Sequence, residues 1–465
     1  MSEDEERDSG TDAASTRPTR RDYLVYGGAI AAGGLLAGCA GSGGEGTTDP
    51  GRNDGDGPDV DGASDGAATP TAPPATGTDT PTVTPTASET SATASGADTG
   101  TTGDSGTQAA TGTPTPGGPY TATLAPAGEV TFESVPGAVY TNLGHHSEMA
   151  LALGRGGDVN ATYAPGYVDS LVSAFTARLE GVSVDWADLT RSWGASAETL
   201  YELDSDVHLA DPATVVTMEG WDRADVADVA ENVGPWFGNT YSDQHRAPPD
   251  EYADAYRHYP LWEIFGRVAD ALRERNRYEA LRTVRDEMLA TVEADLPSES
   301  ERPSVAMVLH STSGDGMWAY DVNAPGFHAS HTRPFGATNA LDAVGSHSNG
   351  DQIDYETLLA ADPDVILTLG GVVEAHDMAT VRANLEDDPV ASQVTAVDEG
   401  RVHAQGTRHQ GPLVNLFQLE MTAKQLYPGR FGEWPTYESG PYPALSGDER
   451  LFDHDRVASV IADGV

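Results

Sequence analysis

The 465-residue chain has little basic charge and a single cysteine. It carries 26 basic and 73 acidic residues, for a formal net charge of −47. The cationic surface that binds phosphate backbones is therefore missing, and nucleic acid is not an expected partner. With only Cys39, neither an internal disulfide nor a cysteine-based metal site can form. Because the acidity is global, most carboxylates are expected to be solvated surface groups.

The sequence also lacks a long apolar run and the common catalytic motifs. The apolar, glycine-rich run from Tyr26 to Gly38 is shorter than the roughly 20 residues that a membrane-spanning helix needs. No phosphate-binding loop, nucleophile elbow, dinucleotide fingerprint or HExxH zinc motif occurs in a suitable context. These absences weigh against an enzyme.

The N-terminal residues have the pattern of an export signal that ends at the cysteine. The stretch from Thr19 to Val25 contains Arg-Arg and resembles a twin-arginine signal, and Leu36-Ala37-Gly38-Cys39 resembles a lipoprotein lipobox. We therefore predict a signal over residues 1–38, lipidation of Cys39, and a location on the outer face of the cytoplasmic membrane. Residues 39–118, nearly all Thr, Gly, Ala, Ser, Pro and Asp, are predicted to be a disordered tether.

Beyond the tether, alternating strand and helix patterns indicate two α/β lobes. We expect an N-terminal lobe over residues 119–275, an interlobe helix over 276–297, a C-terminal lobe over 298–435 and a tail over 436–465. Predicted helices include one capped by Ser147 and ended by Gly154, one from Gly336 to Gly345, and a final amphipathic helix from Leu413 to Tyr427.

The link between the lobes is predicted to be a pair of helices. The polar run from Arg273 to Arg277 separates two groups of apolar residues at helical spacing. The second helix, from about Arg277 to Leu296, would be roughly 30 Å long at ~1.5 Å per residue. We expect this single helical crossing to be stiff and to limit hinge motion on ligand binding.

An internal repeat supports the two-lobe organisation. The segment from Ser196 to Leu209 aligns without a gap with the segment from Asp354 to Leu367, with seven of fourteen positions identical at an offset of 158. Each copy is predicted to be a capped short helix, an Asp-x-Asp turn and a strand. Convergence between α/β units is the alternative, and seven identities favour duplication. Glu198 and Glu356 occupy equivalent positions at the two helix starts.

Aromatic, imidazole and guanidinium side chains are concentrated in predicted loops that would face one another across the lobes. Ligands of open α/β sheets bind beyond the carboxyl ends of the strands, and pockets between lobes are common. Aromatic rings and arginines suit a bulky, anionic ligand. The candidate ligand-binding residues are His145, His146, Tyr163, Trp193, Trp318, Tyr320, His328, His331, Arg333 and Arg408. Direct metal binding by the histidines, suggested by the spacing of His328 and His331, is the less favoured alternative.

Together these features resemble one family, the cluster A or class III substrate-binding proteins of ABC importers for iron(III)-siderophores, haem and cobalamin. The resemblance covers about Thr131 to Pro435. It is carried by Ser147-Glu148, by Asp362-Pro-Asp-Val-Ile-Leu367 and by a closing segment, Arg401-Val-His403 through Gln418-Leu-Glu420, Lys424 and Tyr427-Pro428. Ser205 stands where the family usually has proline. The global acidity resembles that of proteins from high-salt organisms, which suggests a halophilic-archaeal type.

The resemblance implies a fold and a function. The fold would be α/β, with two Rossmann-like lobes joined by a long α-helix, as in periplasmic binding proteins of class III. The function would be that of a monomeric, lipid-anchored receptor that binds an iron(III) chelate and delivers it to an ABC permease dimer with its ATPase. Glu198 and Glu356 would dock onto permease arginines, and no catalytic residue or cofactor is implied.

Three other functions stay open at this point. The nearest is a cobalamin or haem receptor of the same family. A histidine-dependent metallohydrolase at the cell surface belongs to another class, and a passive surface or adhesion protein to a third.

Overall fold

The computed structural model describes residues 118–310, 317–345, 347, 349–370, 372–373 and 377–464. The predicted signal, Cys39 and all but the last residue of the predicted tether lie outside these residues. None of the helices in the described part of the chain combines the length and the apolar character needed to span a lipid bilayer.

The N-terminal lobe is built on a parallel sheet with strand order β5-β4-β3-β6. A bridge between His208 and Trp236 continues the sheet beyond β6. Strands β1 and β2 form a separate antiparallel pair. The elements are β1 (Tyr120–Leu124), β2 (Gly128–Phe132), β3 (Val139–Thr141), α1 (Gly144–Ala152), β4 (Val159–Thr162), α2 (Pro165–Thr176), β5 (Thr190–Arg191), α3 (Ala197–Leu203), β6 (Val207–Leu209), α4 (Pro212–Val215), α5 (Arg223–Asn232) and α6 (Leu261–Ala271).

The C-terminal lobe contains a mixed sheet with strand order β10-β8-β7-β11-β12, and β9 pairs with β7. Its elements follow the connecting helix α7 (Arg275–Asp295) and are β7 (Ser304–His310), β8 (Met317–Tyr320), β9 (Thr338–Asn339), β10 (Gln352–Ile353), α8 (Tyr355–Ala361), β11 (Val365–Leu369), α9 (Met378–Asp387), α10 (Thr395–Asp398), β12 (Val402–Ala404) and α11 (Pro412–Leu426). The first strand of each main sheet, β3 in the first lobe and β7 in the second, lies inside that sheet. The strand order therefore changes direction at β3 and at β7. The predicted fold class, two α/β lobes joined by a long helix, is confirmed.

The connecting helix has the amphipathic face that its periodicity predicts. Tyr278, Leu281, Val284, Met288 and Val292 are buried along one side of α7, and the spacing of three or four residues keeps them on that side. The break between α6 and α7 falls at Arg273. Its φ of 54° is incompatible with a right-handed α-helix. The predicted pair of helices is therefore confirmed, with α7 beginning two residues earlier than expected.

The two repeat copies have the same local structure. Ser196 Oγ and Asp354 Oδ1 each accept a hydrogen bond from the backbone N–H three residues ahead, at 3.4 and 2.8 Å. Such side-chain caps satisfy a backbone donor that the helix start leaves unpaired. Both helices end at an aspartate in the left-handed conformation, Asp204 with φ 45° and Asp362 with φ 41°. The predicted capped helix is present in both lobes.

The second aspartate of each copy ties its strand to the first strand of the lobe. Asp206 Oδ2 accepts from the backbone N–H groups of Gly137 and Ala138, at 2.7 and 2.9 Å, just before β3. Asp364 Oδ2 accepts from the N–H and the hydroxyl of Ser304, at 2.7 and 2.8 Å, where β7 begins. The repeated Asp-x-Asp therefore sets the register of β6 on β3 and of β11 on β7.

Ser147 does not cap a helix, contrary to the sequence-based expectation. Helix α1 begins at Gly144, three residues before it, and has no side-chain cap. The Ser147 hydroxyl is buried inside the first turn and lies 2.6 Å from the hydroxyls of Thr141 and Thr162. It joins the ends of β3 and β4, because the chain turns into the helix directly after the strand.

Two other helix predictions also need correction. The helix expected from Gly336 to Gly345 is absent, because the N–H of Thr338 bonds to Pro303 and draws residues 338–339 into the sheet as β9. A single 3-10 turn, Ala340–Ala343, follows. The last predicted helix is present as α11, but every residue of it is buried. It is a core helix and not an amphipathic one.

The segment predicted to be a C-terminal tail packs against the N-terminal lobe. It follows α12 (Pro428–Phe431) and contains α13 (His454–Asp463), which packs on α7. Tyr442 is fully buried. Its ring contacts Phe175 of α2 and Phe417 of α11, and its N–H donates to the Ala174 carbonyl at 2.9 Å. The chain thus returns to the first lobe, so the C-terminal segment connects the lobes in addition to the helical crossing α7.

Candidate functional site

A cavity of about 810 Å³ lies between the two lobes. Its walls come from residues that follow β3, β4, β5 and β12, from residues 214–219 and 240–246 of the first lobe, and from Tyr320, His328 and residues 349–350 of the second. The position agrees with the rule that open α/β sheets bind ligands beyond the carboxyl ends of their strands, where the strand order changes direction. Five of the ten candidate ligand-binding residues line it: Tyr163, Trp193, Tyr320, His328 and Arg408.

Aromatic rings on both lobes line the cavity beside an arginine. In the first lobe the rings of Tyr163 and Trp193 meet edge to face at 5.2 Å between centres, and Trp193 is 37% exposed. In the second lobe Arg408 Cζ lies 4.0 Å from the centre of the Tyr320 ring. A cation at this distance is attracted to the ring face, so Tyr320 holds the Arg408 side chain in place.

The other five candidates do not line the cavity. His145 and His146 are almost completely buried. Their ring nitrogens have no hydrogen-bond partner among the described residues, and burial lowers the pKa of His145 to about 3. Both are therefore neutral packing groups, His145 against Phe327 with ring centres 5.2 Å apart.

Three of these residues support the second lobe from outside the cavity. His331 Nδ1 lies 2.7 Å from Gln410 Nε2 and is buried. Arg333 donates to the carbonyl oxygens of Ala324 and Gly326, at 2.5 and 2.9 Å, and so braces the loop between them. Trp318 lies in β8, where it pairs with Leu309 of β7 and packs on the core.

A first-lobe segment that sequence reasoning missed forms one side of the cavity. Asp243, Gln244 and Arg246 line it, and Arg246 Nη2 forms an ion pair with Asp243 Oδ2 at 2.7 Å. The segment is held by the buried Asp211, whose Oδ2 accepts from the Thr240 N–H at 2.7 Å. Burial raises the pKa of Asp211 to about 6. No strand pattern precedes this segment, so only its polar and aromatic residues could have signalled it.

The same segment touches the second lobe along a contact between residues 240–246 and 326–331, which we call the interlobe seam. Gly326 has a φ of +85°, and a Cβ on it would overlap the carbonyl oxygens of Ser242 and Asp243. Glycine is therefore required at position 326 both for the positive φ and for the close approach of the backbone at residues 242–243. Gln244 Nε2 lies 3.2 Å from His328 Nδ1, and Gln244 Oε1 accepts from Asn349 Nδ2 at 2.9 Å.

Glu148 links the first lobe to the start of α11. It is 2% exposed and accepts hydrogen bonds from the N–H groups of Gly411 and Val414, at 2.8 and 2.7 Å. A carboxylate at a helix N-terminus satisfies unpaired donors and opposes the helix dipole. These hydrogen bonds lower the pKa of Glu148, but burial has the larger effect and raises that pKa to about 7.

Arg408 is a cavity cation that forms no ion pair within the described part of the chain. Arg246 is paired with Asp243, whereas Arg408 makes no ion pair with any described residue and contacts the Tyr320 ring and His328 Nδ1. Burial lowers the pKa of Arg408 below its usual value, but a guanidinium keeps its charge in proteins. An anionic group on a ligand would complete this site.

The histidine rings near the cavity do not form a metal site by themselves. Within the described ranges, no group of three or more His, Cys, Asp or Glu side chains is arranged to hold a metal ion. The rings of His145, His328 and His409 pack on one another, with centres 4.5 and 6.4 Å apart for the two pairs that include His409.

The remaining predicted positions lie away from the cavity. Glu198 and Glu356 are exposed, each at the second position of its helix, α3 and α8. They occupy equivalent sites on the two lobes, as the repeat predicts. Cys39 lies outside the described residues.

Comparison with known proteins finds similarity to periplasmic binding proteins. Residues 209–406 match the model of the periplasmic binding protein family, which is less than half of the chain. No curated protein matches the chain. The chain is similar to a solved periplasmic binding protein from Veillonella parvula DSM 2008, at 14% identity and a TM-score of 0.49, over 69% of this chain and 94% of that one.

Two further solved structures are similar to the chain. One is the iron uptake ABC transporter substrate-binding protein PiuA from Streptococcus pneumoniae, at 14% identity, a TM-score of 0.45 and coverage of 66% and 96%. The other is an ABC-type Fe3+-hydroxamate transport system from Saccharomonospora viridis DSM 43017, at 20% identity, a TM-score of 0.43 and coverage of 65% and 98%. Such low identities and TM-scores carry no inference about ligand or partner.

Proposed function

We propose that the chain is an extracytoplasmic, lipid-anchored receptor of the cluster A, halophilic-archaeal type, which binds an iron(III) chelate and delivers it to an ABC permease dimer. The observation that carries this proposal is the interlobe cavity, where Arg408 contacts an aromatic ring and forms no ion pair with the residues that the structure describes. Its volume of about 810 Å³ falls within the range of small-molecule sites. A ferric siderophore offers the conjugated groups and anionic oxygens that such walls attract.

A chelate fits the cavity better than a bare metal ion or a hydrolysable ester. Within the described part of the chain, no three His, Cys, Asp or Glu side chains are arranged to coordinate one metal ion. The protein therefore supplies few of the ligands that a bare ion requires. A hydrolase would need a positioned base or a bound metal, and the pKa of His145, His328 and His409 is lowered by burial among other rings. The matched family model also describes binding proteins.

Titration followed by tryptophan fluorescence tests which ligand the cavity binds. The chain has seven tryptophans, and Trp193 is exposed in the cavity. A ferric siderophore should quench the emission saturably, and Trp193→Phe should remove much of the quenching, whereas Trp434→Phe, outside the cavity, should leave it. Saturable quenching by haem or cyanocobalamin alone would instead favour the other receptor functions. A flat response to all three ligands contradicts the receptor proposal.

Delivery to the permease is tested at the two exposed glutamates. We expect the double variant Glu198→Arg and Glu356→Arg to lose uptake while it keeps ligand affinity, because the change is made on the surface and away from the cavity. The control makes the same charge change at Glu231 and Glu386, which are exposed residues of α5 and α9. Uptake that survives in the first variant refutes the docking assignment.

The anchor can be tested separately. Cys39→Ala should release the exported protein from the membrane into the medium, because no thiol remains for lipidation. Replacing Arg20 and Arg21 by lysine should retain the protein inside the cell. Membrane attachment of the Cys39→Ala protein contradicts the proposed anchor.

A further inference from the structure

A series of hydrogen bonds with a defined direction runs from the second lobe, through the first, to the cavity. It begins at the backbone N–H of Asp321, which donates to Asn349 Oδ1 at 2.7 Å. A backbone amide can only donate, so this contact fixes the orientation of the Asn349 side chain. Asn349 Nδ2 is therefore the donor to Gln244 Oε1, at 2.9 Å. At Gln244 the series crosses the interlobe seam.

The next contact determines which nitrogen of His328 carries the proton. With Oε1 engaged as an acceptor, Gln244 donates through Nε2 to His328 Nδ1, at 3.2 Å. Arg408 Nη1, which also can only donate, lies 3.4 Å from the same nitrogen. Burial, with His409 and Arg408 nearby, lowers the pKa of His328 well below its usual value, so the ring is neutral. Its one proton is on Nε2, and Asp243 Oδ2 lies 3.9 Å from that atom.

His328 determines the proton position of His409 in turn. His328 Nε2 lies 3.3 Å from His409 Nδ1, so His409 Nδ1 accepts. Burial, together with Arg408, lowers the pKa of His409 well below its usual value and keeps that ring neutral. The single proton of His409 is then on Nε2. His409 and Arg408 both line the cavity, and each side chain carries an N–H group that can donate.

We infer that His409 acts in the cavity as a hydrogen-bond donor and not as a metal ligand. The receptor would then select chelates whose iron coordination is already complete and whose outer oxygen atoms accept from His409 and Arg408. The choice of ligand rests on the proposed function, whereas the proton position does not. A protonated ring nitrogen has no lone pair for a metal ion, and the series would have to reverse at every step to expose one.

Asn349→Asp tests the proton position without any ligand, because it reverses the series at nearly constant size. The new carboxylate accepts from Asp321 and from Gln244 Nε2, so the Gln244 amide turns and its Oε1 requires a proton on His328 Nδ1. His409 would then carry its proton on Nδ1. Nitrogen-15 chemical shifts of the histidine rings, measured on the full chain, report this state, with His409→Gln to assign the signal and Asn323→Asp as the matched control.

We expect His409 to be protonated on Nε2 in the wild-type protein and in the Asn323→Asp control, and on Nδ1 in the Asn349→Asp variant. A proton on Nδ1 of wild-type His409 overturns the inference. So does the same tautomer in the wild type and in Asn349→Asp.

Binding of two defined chelates tests the consequence for selectivity. One probe is an iron(III) trihydroxamate with six donor oxygens, and the other is iron(III) bound by a dihydroxamate that leaves two coordination positions open. His409→Leu should bind the closed chelate about tenfold more weakly, as expected for one lost hydrogen bond to a charged oxygen, and His409→Gln should restore most of the affinity. Asn349→Asp should shift the preference toward the open chelate.

The two measurements separate the inference from the proposed function. If neither chelate binds the wild-type protein, the proposed function fails, and the tautomer of His409 still decides the proton position. If the closed chelate binds the wild type and His409→Leu equally well, the receptor function stands and the donor role of His409 is refuted.

Discussion

Glu148→Gln should change how the stability of the protein depends on pH. The carboxyl group is buried between α1 and the start of α11, and burial raises its pKa from 4.5 to about 7. Glutamine has nearly the same shape and can still accept one backbone hydrogen bond, but it does not titrate. The difference in unfolding free energy between the two proteins therefore isolates the titration of this one group.

The sign and the size follow from the two pKa values. Because the folded-state pKa lies above the unfolded one, the native state binds the proton more tightly between pH 4.5 and about 7. The stability that Glu148 contributes is thus complete below pH 4.5 and is lost as the pH rises through about 7. A shift of roughly 2.5 units corresponds to about 3 kcal/mol, at 1.36 kcal/mol per unit.

Urea unfolding followed by tryptophan fluorescence, at constant ionic strength from pH 4.5 to 8, measures this difference. We expect the two proteins to be similar near pH 4.5 and Glu148→Gln to be more stable by about 3 kcal/mol at pH 8. Glu293→Gln, an exposed residue of α7, is the control and should follow the wild-type profile. A difference that stays flat across this range refutes the buried, proton-binding role of Glu148.

Two further predictions concern how the lobes are held together. Tyr442→Ala removes a fully buried ring and should destabilise the protein by about 3–5 kcal/mol, as for other large core truncations, whereas Tyr201→Ala, at an exposed site, should cost far less; equal effects in urea unfolding would contradict the packed C-terminal segment. Gly326→Ala should destabilise more than Gly181→Ala, because both positions have positive φ but only the Cβ at 326 meets backbone atoms. Equal melting temperatures of these two variants would refute the close approach at the interlobe seam.

The elements that followed from the sequence are those with a local cause. The spacing of Leu281, Val284, Met288 and Val292 alone predicts the buried face of α7. Cap residues likewise act within a few residues, so the repeat predicted the same helix start in both lobes. The second aspartate of each Asp-x-Asp instead bonds to backbone 69 and 60 residues away. Ser147 resembles a cap in the same way, but its hydroxyl meets Thr141 and Thr162, and that meeting requires the assembled sheet.

Part of the cavity was predictable, because aromatic, imidazole and guanidinium side chains in predicted loops are typical of ligand sites. Tyr163 and Trp193 were predicted only as loop aromatics, and the structure places them just after β4 and β5, at the carboxyl ends of these strands. His145 also follows a strand, but α1 turns it into the interior. Gln244 has no strand before it, and its role arises from contacts with Asn349 and His328, which lie far away in the sequence.

The sequence by itself determined the properties that depend on composition or on neighbours along the chain. These are the acidic surface, the absence of cysteine chemistry in the lobes, the helical crossing and the repeated unit. Only the tertiary structure decided which of several similar side chains are buried, which face the cavity, and which way the hydrogen bonds of His328 and His409 run. Burial and hydrogen-bond direction depend on partners from both lobes, and a single stretch of sequence holds only one side of each contact.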